Sequence, residues 1–133
     1  MTCIDLNSGA QLWRVKQRRV RESTGISNDG KIFYSKTMDG QMIAIPTDAD
    51  SYNELWCTDV GWGYDHSFCP LIESDNIIYM SNRRGKVAAV SSSGETVGVA
   101  KLANSAANDL RADSSGTIWV SFIEGTIWRL KAK

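Results

Sequence analysis

The sequence predicts an all-β chain of repeated antiparallel sheets, and two observations carry that expectation. A stretch that begins Asp29-Gly-Lys-Ile-Phe-Tyr34 and ends Gly40-Gln-Met-Ile-Ala-Ile45 recurs over residues 75–90 and again over residues 115–130. Aligned on their second glycines, the copies bring Tyr34, Tyr79 and Trp119 into register, then Gly40, Gly85 and Gly125, then Ile45, Val90 and Leu130. Each copy also holds two short β-prone runs flanking a glycine turn, which is a hairpin signal. The second glycines lie 45 and 40 residues apart. A period of that length, with paired strands in every unit, marks the blades of a β-propeller.

Taken in order, residues 2–16 form two strand-like pieces joined by Asn7-Ser8-Gly9. This segment resembles the repeat of the pyrroloquinoline-quinone (PQQ) dehydrogenase-like β-propellers, whose blade junctions carry Ala-x-Asp-x-x-x-Gly-x-x-x-Trp. Cys3, Asp5, Gly9 and Trp13 stand at those positions, with cysteine replacing the alanine. A small residue leaves room for an indole to dock between neighbouring blades, and glycine permits a turn with positive φ. The resemblance implies four-stranded antiparallel blades of the PQQ-like or WD40-like kind, with Trp13 and Trp56 as docking rings.

Residues 14–21 carry Arg14, Lys16, Arg18, Arg19 and Arg21, the densest positive segment. An exposed outer strand and its loop, whose charges guard an unpaired edge, is the structural reading. Contact with an anion or acidic partner is the functional one.

Residues 23–28, 31–36 and 41–46 are expected as the first three strands of the next blade, with Asp-Gly turns between them. Pro46 takes the place of the motif aspartate. Asp48, Asp50, Asn53 and Glu54 then invite comparison with a calcium loop. Asn53 stands where glycine is expected and Asp59 where glutamate is expected, so the segment reads as a solvated turn leading to Trp56.

Residues 61–70, Gly-Trp-Gly-Tyr-Asp-His-Ser-Phe-Cys-Pro, form the most distinctive insertion. A segment entering an inner strand lies at a mouth of a propeller's central channel, which makes Trp62, Tyr64, Asp65 and His66 the candidate ligand-binding residues. The alternative is a packing loop whose aromatics cover a blade junction. Sequence adjacency of Asp65 and His66 does not establish that they face one another or a serine or cysteine nucleophile, so no catalytic residues are assigned.

Residues 70–73, 76–81, 86–91 and 95–102 supply the following blade. Gly98 falls where its docking tryptophan belongs, so this junction is expected to pack less well. The last copy runs over residues 108–133, and its Gly-Thr-Ile-Trp pairs also resemble sensor-kinase, NHL-type and lactonase-like propellers. The expected organisation is the end of a preceding blade (1–16), two blades (23–59 and 67–102) and a blade lacking its outer strand (106–133).

Fifteen basic and fifteen acidic side chains cancel over 133 residues, leaving no electrostatic footprint for a nucleic-acid partner. No run approaches the roughly 18 apolar residues of a membrane-spanning helix, and no secretory leader pattern precedes Asp5. Cys3, Cys57 and Cys69 include no C-x-x-C pair, and with a single histidine they offer no zinc ligand set. Buried free thiols are expected, with a Cys57–Cys69 bridge as the alternative.

About three and a half blades leave apolar faces uncovered. The chain is therefore expected to be the C-terminal part of a larger propeller, or a half that assembles with a second copy. The leading functional expectation is a non-catalytic scaffold or interaction module without cofactor, similar to the propeller lipoprotein of the outer-membrane assembly machinery. Alternatives are part of a propeller enzyme, either quinoprotein dehydrogenase-like or a hydrolase with an attached propeller, and a sensor or carbohydrate-binding propeller. Bacterial relatives of this kind imply a periplasmic or extracellular setting.

Overall fold

The computed structural model describes residues 1–130; the last three positions of the expected final blade, 131–133, lie outside the described residues. Thirteen strands among these residues form four separate antiparallel sheets. The first pairs β1 (Thr2–Ile4) with β2 (Gln11–Arg14). The second is a four-strand meander of β3 (Val20–Ile26), β4 (Ile32–Thr37), β5 (Gln41–Pro46) and β6 (Trp56–Asp59). The third repeats it with β7 (Ile72–Ser74), β8 (Ile77–Ser81), β9 (Lys86–Ser91) and β10 (Thr96–Lys101). The fourth has β11 (Ala107–Ala112), β12 (Ile118–Phe122) and β13 (Ile127–Leu130). The first strands pack side by side, β3 against β7 and β7 against β11, so the sheets radiate as the blades of a partial β-propeller.

Because side chains alternate across a strand, each blade sends one set of residues to each neighbour. Tyr34, Met42 and Ala44 of the second sheet bury against Leu71, Ile78, Met80, Ala88 and Val90 of the third. The opposite face of the third sheet places Val87 against Leu110, Ile118, Val120 and Phe122 of the fourth, with Cys69 in the same cluster.

Indoles lock the seams on either side of the second sheet. Trp13 pairs across its hairpin with Cys3, and Trp56 pairs across strands with Ala44. Each small residue leaves the ring room to lean toward the following blade, where the indole N–H donates to a carbonyl. Trp13 reaches Ala49 O and Trp56 reaches Ser92 O, both at 3.0 Å. Trp56 also stacks on Tyr34, with ring centroids 6.0 Å apart and an interplanar angle of 30°. Asp5 holds the first turn by accepting from the Asn7 and Ser8 amides at 2.9 and 2.7 Å, with Gly9 beyond it at φ 72°.

Several local features depart from the sequence reading. The strand expected from residue 23 begins at Val20, because Val20 pairs with Thr37 across an irregular register. The β7–β8 turn is made by Asp75 and Asn76 at φ 52° and 60°, the pair of positive φ values that a two-residue type I′ hairpin requires without any glycine. All three cysteines are free, and Cys57 is exposed rather than buried. Trp56 and Thr58 turn toward the third sheet, so Cys57 faces the other side of the outermost strand. Cys69 is buried, and that burial pushes its thiol up to about 11.

The fourth sheet has a polar overlay on its outer face that was not expected. Arg129 stands at the position held by Ala44 and Ala89 and lies 5.7 Å over the Trp119 ring, whose N–H donates to Asp113.

A methyl group on Gly94 would lie 2.7 Å from Cγ of Trp56, at a φ of +89°. The same addition at Gly125, φ +91°, meets no described residue within 4 Å. Gly94→Ala is therefore expected to destabilise the chain by roughly 2 kcal/mol more than Gly125→Ala, read by urea denaturation. Equal losses would mean the indole does not seat against that turn.

Candidate functional site

The distinctive segment forms the connection from β6 to β7. Asp59 accepts the Gly61 amide at 2.8 Å, and the Asp65 amide donates to Met38 O at 2.8 Å, tying the loop to the β4–β5 turn. Beyond this point the chain runs along the innermost strand of the second sheet, where Ser23 Oγ donates to Ser67 O at 2.6 Å and the Leu71 amide donates to Thr24 O at 3.0 Å. Residues 61–70 are thus pinned at both ends, and their side chains divide between interior and surface.

Asp65 turns inward. Its carboxylate is buried and pairs with the Lys36 ammonium, which is only 2% exposed. It also accepts the amides of Ser67 at 3.2 Å and Arg83 at 3.1 Å. Ser67 Oγ and Ser81 O complete the surroundings of Lys36. Burial works against the charge on both groups. For Lys36 it wins, and the ammonium is held below its usual range despite Asp65. For Asp65 the Lys36 contact and the two amides overcome burial, and the carboxyl lies below its usual value. This ion pair sits in the seam between the second and third sheets and fixes how the loop crosses it.

Trp62 also turns inward, partly buried against the cluster containing Tyr34 and Ile78. Tyr64 and His66 face outward. Tyr64 is half exposed, its ring centroid 5.6 Å from that of His66, and Arg83 Nη1 lies 3.4 Å from His66 Nδ1. Phe68 is 59% exposed on the same loop. The four candidate residues therefore separate: Trp62 and Asp65 build the seam, while Tyr64 and His66 turn outward beside Arg83, whose Nε also lies 4.0 Å from Asp65 Oδ1. Adjacent in sequence, Asp65 and His66 point apart and form no acid–base pair. Arg83 escaped the sequence reading, although the glycine alignment places its β8–β9 turn in register with the β4–β5 turn that touches this loop.

A second polar cluster joins the first two sheets. Arg18 grips Glu54 with two parallel bonds, Nε to Oε1 and Nη2 to Oε2, both 2.6 Å, and a third reaches Gln41 Oε1 at 2.9 Å. Tyr52 donates to the same carboxylate and meets Trp13 edge-on at 5.5 Å. Glu54 was read as part of a solvated turn, but Arg18 takes up both of its oxygens. Arg19 pairs with Asp39 at 2.8 Å, so two members of the basic run are committed within the chain. Among the described residues, no group of three His, Cys, Asp or Glu side chains converges to hold a metal ion.

Removing one member of the buried pair strands the other. Lys36→Met is expected to lower the unfolding free energy by about 3–5 kcal/mol, and Lys36→Met with Asp65→Leu to recover much of that loss in urea titrations. A double variant no better than the single one would refute the pairing.

Glu54 gives a pH test. Its bonds to Arg18 hold its folded pKa below the usual carboxylate value. The stabilisation is therefore complete above the unfolded pKa of about 4.3 and is lost as pH falls through the folded value. The Tm difference between the parent and Glu54→Gln should hold above about pH 5 and narrow as pH falls from there towards about pH 2. A constant difference would remove the carboxylate's charge from the account.

No family model and no curated protein matches the sequence. Solved structures do. The computationally designed Ika4 protein superimposes with a TM-score of 0.76 at 15% identity, over 99% of this chain and 79% of its own. BamB from Moraxella catarrhalis gives 0.71 at 19%, over 92% and 37%. The WD40 β-propeller domain of Doa1 gives 0.69 at 17%, over 86% and 37%. The chain thus spans little more than a third of the last two. At these identities the likeness is one of fold, and the fold is that of a β-propeller.

Proposed function

We propose that this chain is a PQQ-like stretch of a larger propeller and acts as a non-catalytic, protein-binding scaffold. The two-stranded first sheet (within residues 1–16) and the three-stranded last sheet (within 106–133) would be completed by further blades or by a second copy, on either side of blades 23–59 and 67–102.

The observation that carries the reading is the fate of the β6–β7 loop. Its acid is spent inside the seam on Lys36, and what it offers outward is Tyr64, His66 and Phe68 beside Arg83. Such a surface is suited to binding: aromatic faces and a guanidinium are the groups that anchor protein interfaces. BamB and WD40 propellers as structural neighbours agree with a scaffold role without naming a partner. A stacked sugar would find Tyr64 and Phe68 exposed here but not Trp62, which is committed to packing.

The test is a panel of aromatic-rich acidic and neutral peptides titrated by amide-detected NMR. Shifts should centre on residues 64–68 and 83, and Tyr64→Ala combined with Arg83→Ala should weaken binding by about tenfold. Shifts centred elsewhere, or a double variant that binds as well as the parent, would overturn the assignment.

A further inference from the structure

The three inter-blade seams share one construction but not one filling. Across the strands of the second blade, Tyr34 pairs with Ala44 and Ala44 with Trp56. Across the third blade, Tyr79 pairs with Ala89 and Ala89 with Gly98. Directly opposed residues share one face of a sheet, so Gly98 occupies the place from which Trp56 sends its ring into the next seam. The register shift between Thr96 and Gly98 keeps this match in spite of the shorter loop before β10.

The difference in packing is direct. Tyr34 and Ala44 are 1% and 0% exposed, whereas Tyr79 and Ala89 are only half-buried. Among the described residues, the place of the indole is a solvent-open cleft lined by Tyr79, Val87, Ala89, Gly98, Val99 and Leu130. Its walls are apolar apart from the Tyr79 hydroxyl and backbone atoms. The floor is a tyrosine face of the kind on which Trp56 stacks, and among the described residues nothing lies within 4 Å of where a Cβ on Gly98 would stand.

We infer that this cleft is a binding site for a planar apolar aromatic ligand of indole size. The occupant is argued from the chain itself: at this register position the two preceding seams each hold an indole. A small aromatic ring laid in an apolar cleft beside a tyrosine face is favoured, because ring and walls both leave water and regain contact. Tyr79 supplies an offset-stacking face, Val87, Val99 and Leu130 the flanks, and Gly98 the opening through which the ring enters. The site lies on the seam between the third and fourth blades, apart from the Tyr64 surface.

Indole itself is the probe, titrated into the full chain by saturation-transfer NMR and calorimetry. The parent protein should bind it, with protein shifts at Tyr79, Ala89 and Val99. Gly98→Trp supplies the ring covalently and should weaken binding at least about tenfold while raising the Tm. Ala89→Leu, which fills the same space from the neighbouring strand, should weaken binding similarly if the tryptophan variant does not fold. Tyr64→Ala should leave indole affinity unchanged, which separates this site from the proposed interaction surface. Absence of binding to the parent, shifts confined to other residues, or undiminished binding to a folded cleft-filling variant would each overturn the inference.

Discussion

The constraint on which the molecule depends is that no blade can bury its own faces. A twisted sheet of three or four short strands has two sides and no interior, so each side must be closed by the next sheet. The closing device is a cross-strand pair of unequal size, a small residue opposite a large ring. Cys3 with Trp13 and Ala44 with Trp56 let the indole lean across the gap, and its N–H finds a carbonyl on the far blade. Apolar area, stacking and one directional hydrogen bond are thus delivered by a single side chain.

Around that device each seam has its own chemistry. The first adds the Arg18–Glu54 clasp, with Tyr52 connecting it to the edge of Trp13. The second adds Lys36 and Asp65, which cost more to bury and are retained with Ser67, Ser81 O and the Arg83 amide around them. Among the described residues, the third has neither indole nor ion pair at that position. Charge is therefore concentrated where indoles already hold the blades together, and the seam without one relies chiefly on an apolar cluster that includes Val87, Leu110, Ile118, Val120 and Phe122.

The repeat was legible because its punctuation is local. Gly40, Gly85 and Gly125 mark the same turn, and the flanking alternation of large and small residues gives strand registers that the structure reproduces at Lys86–Ser91 and Gln41–Pro46. Gly98 could be recognised as a missing ring for the same reason. The polar clusters were not legible. Lys36 and Asp65 stand 29 residues apart on a strand and a loop, and Arg18 and Glu54 stand 36 apart on two loops; no periodicity links them. Asp65 and His66 show the converse failure, since adjacency in an irregular segment says nothing about direction. The exposure of Cys57 followed from strand alternation and was missed because the residue was judged by type rather than by face.

Arg129 bears on how such a chain is put together. Where the earlier blades carry cysteine or alanine, a guanidinium now covers Trp119, so the outward side of the final sheet offers no vacancy for an indole leaning from its own fourth strand. The units are consequently not interchangeable parts. Reordering them by gene shuffling, or duplicating the last one to lengthen the array, would set a cation where a hydrophobic wedge must go, and the order written in the chain is the order that assembles.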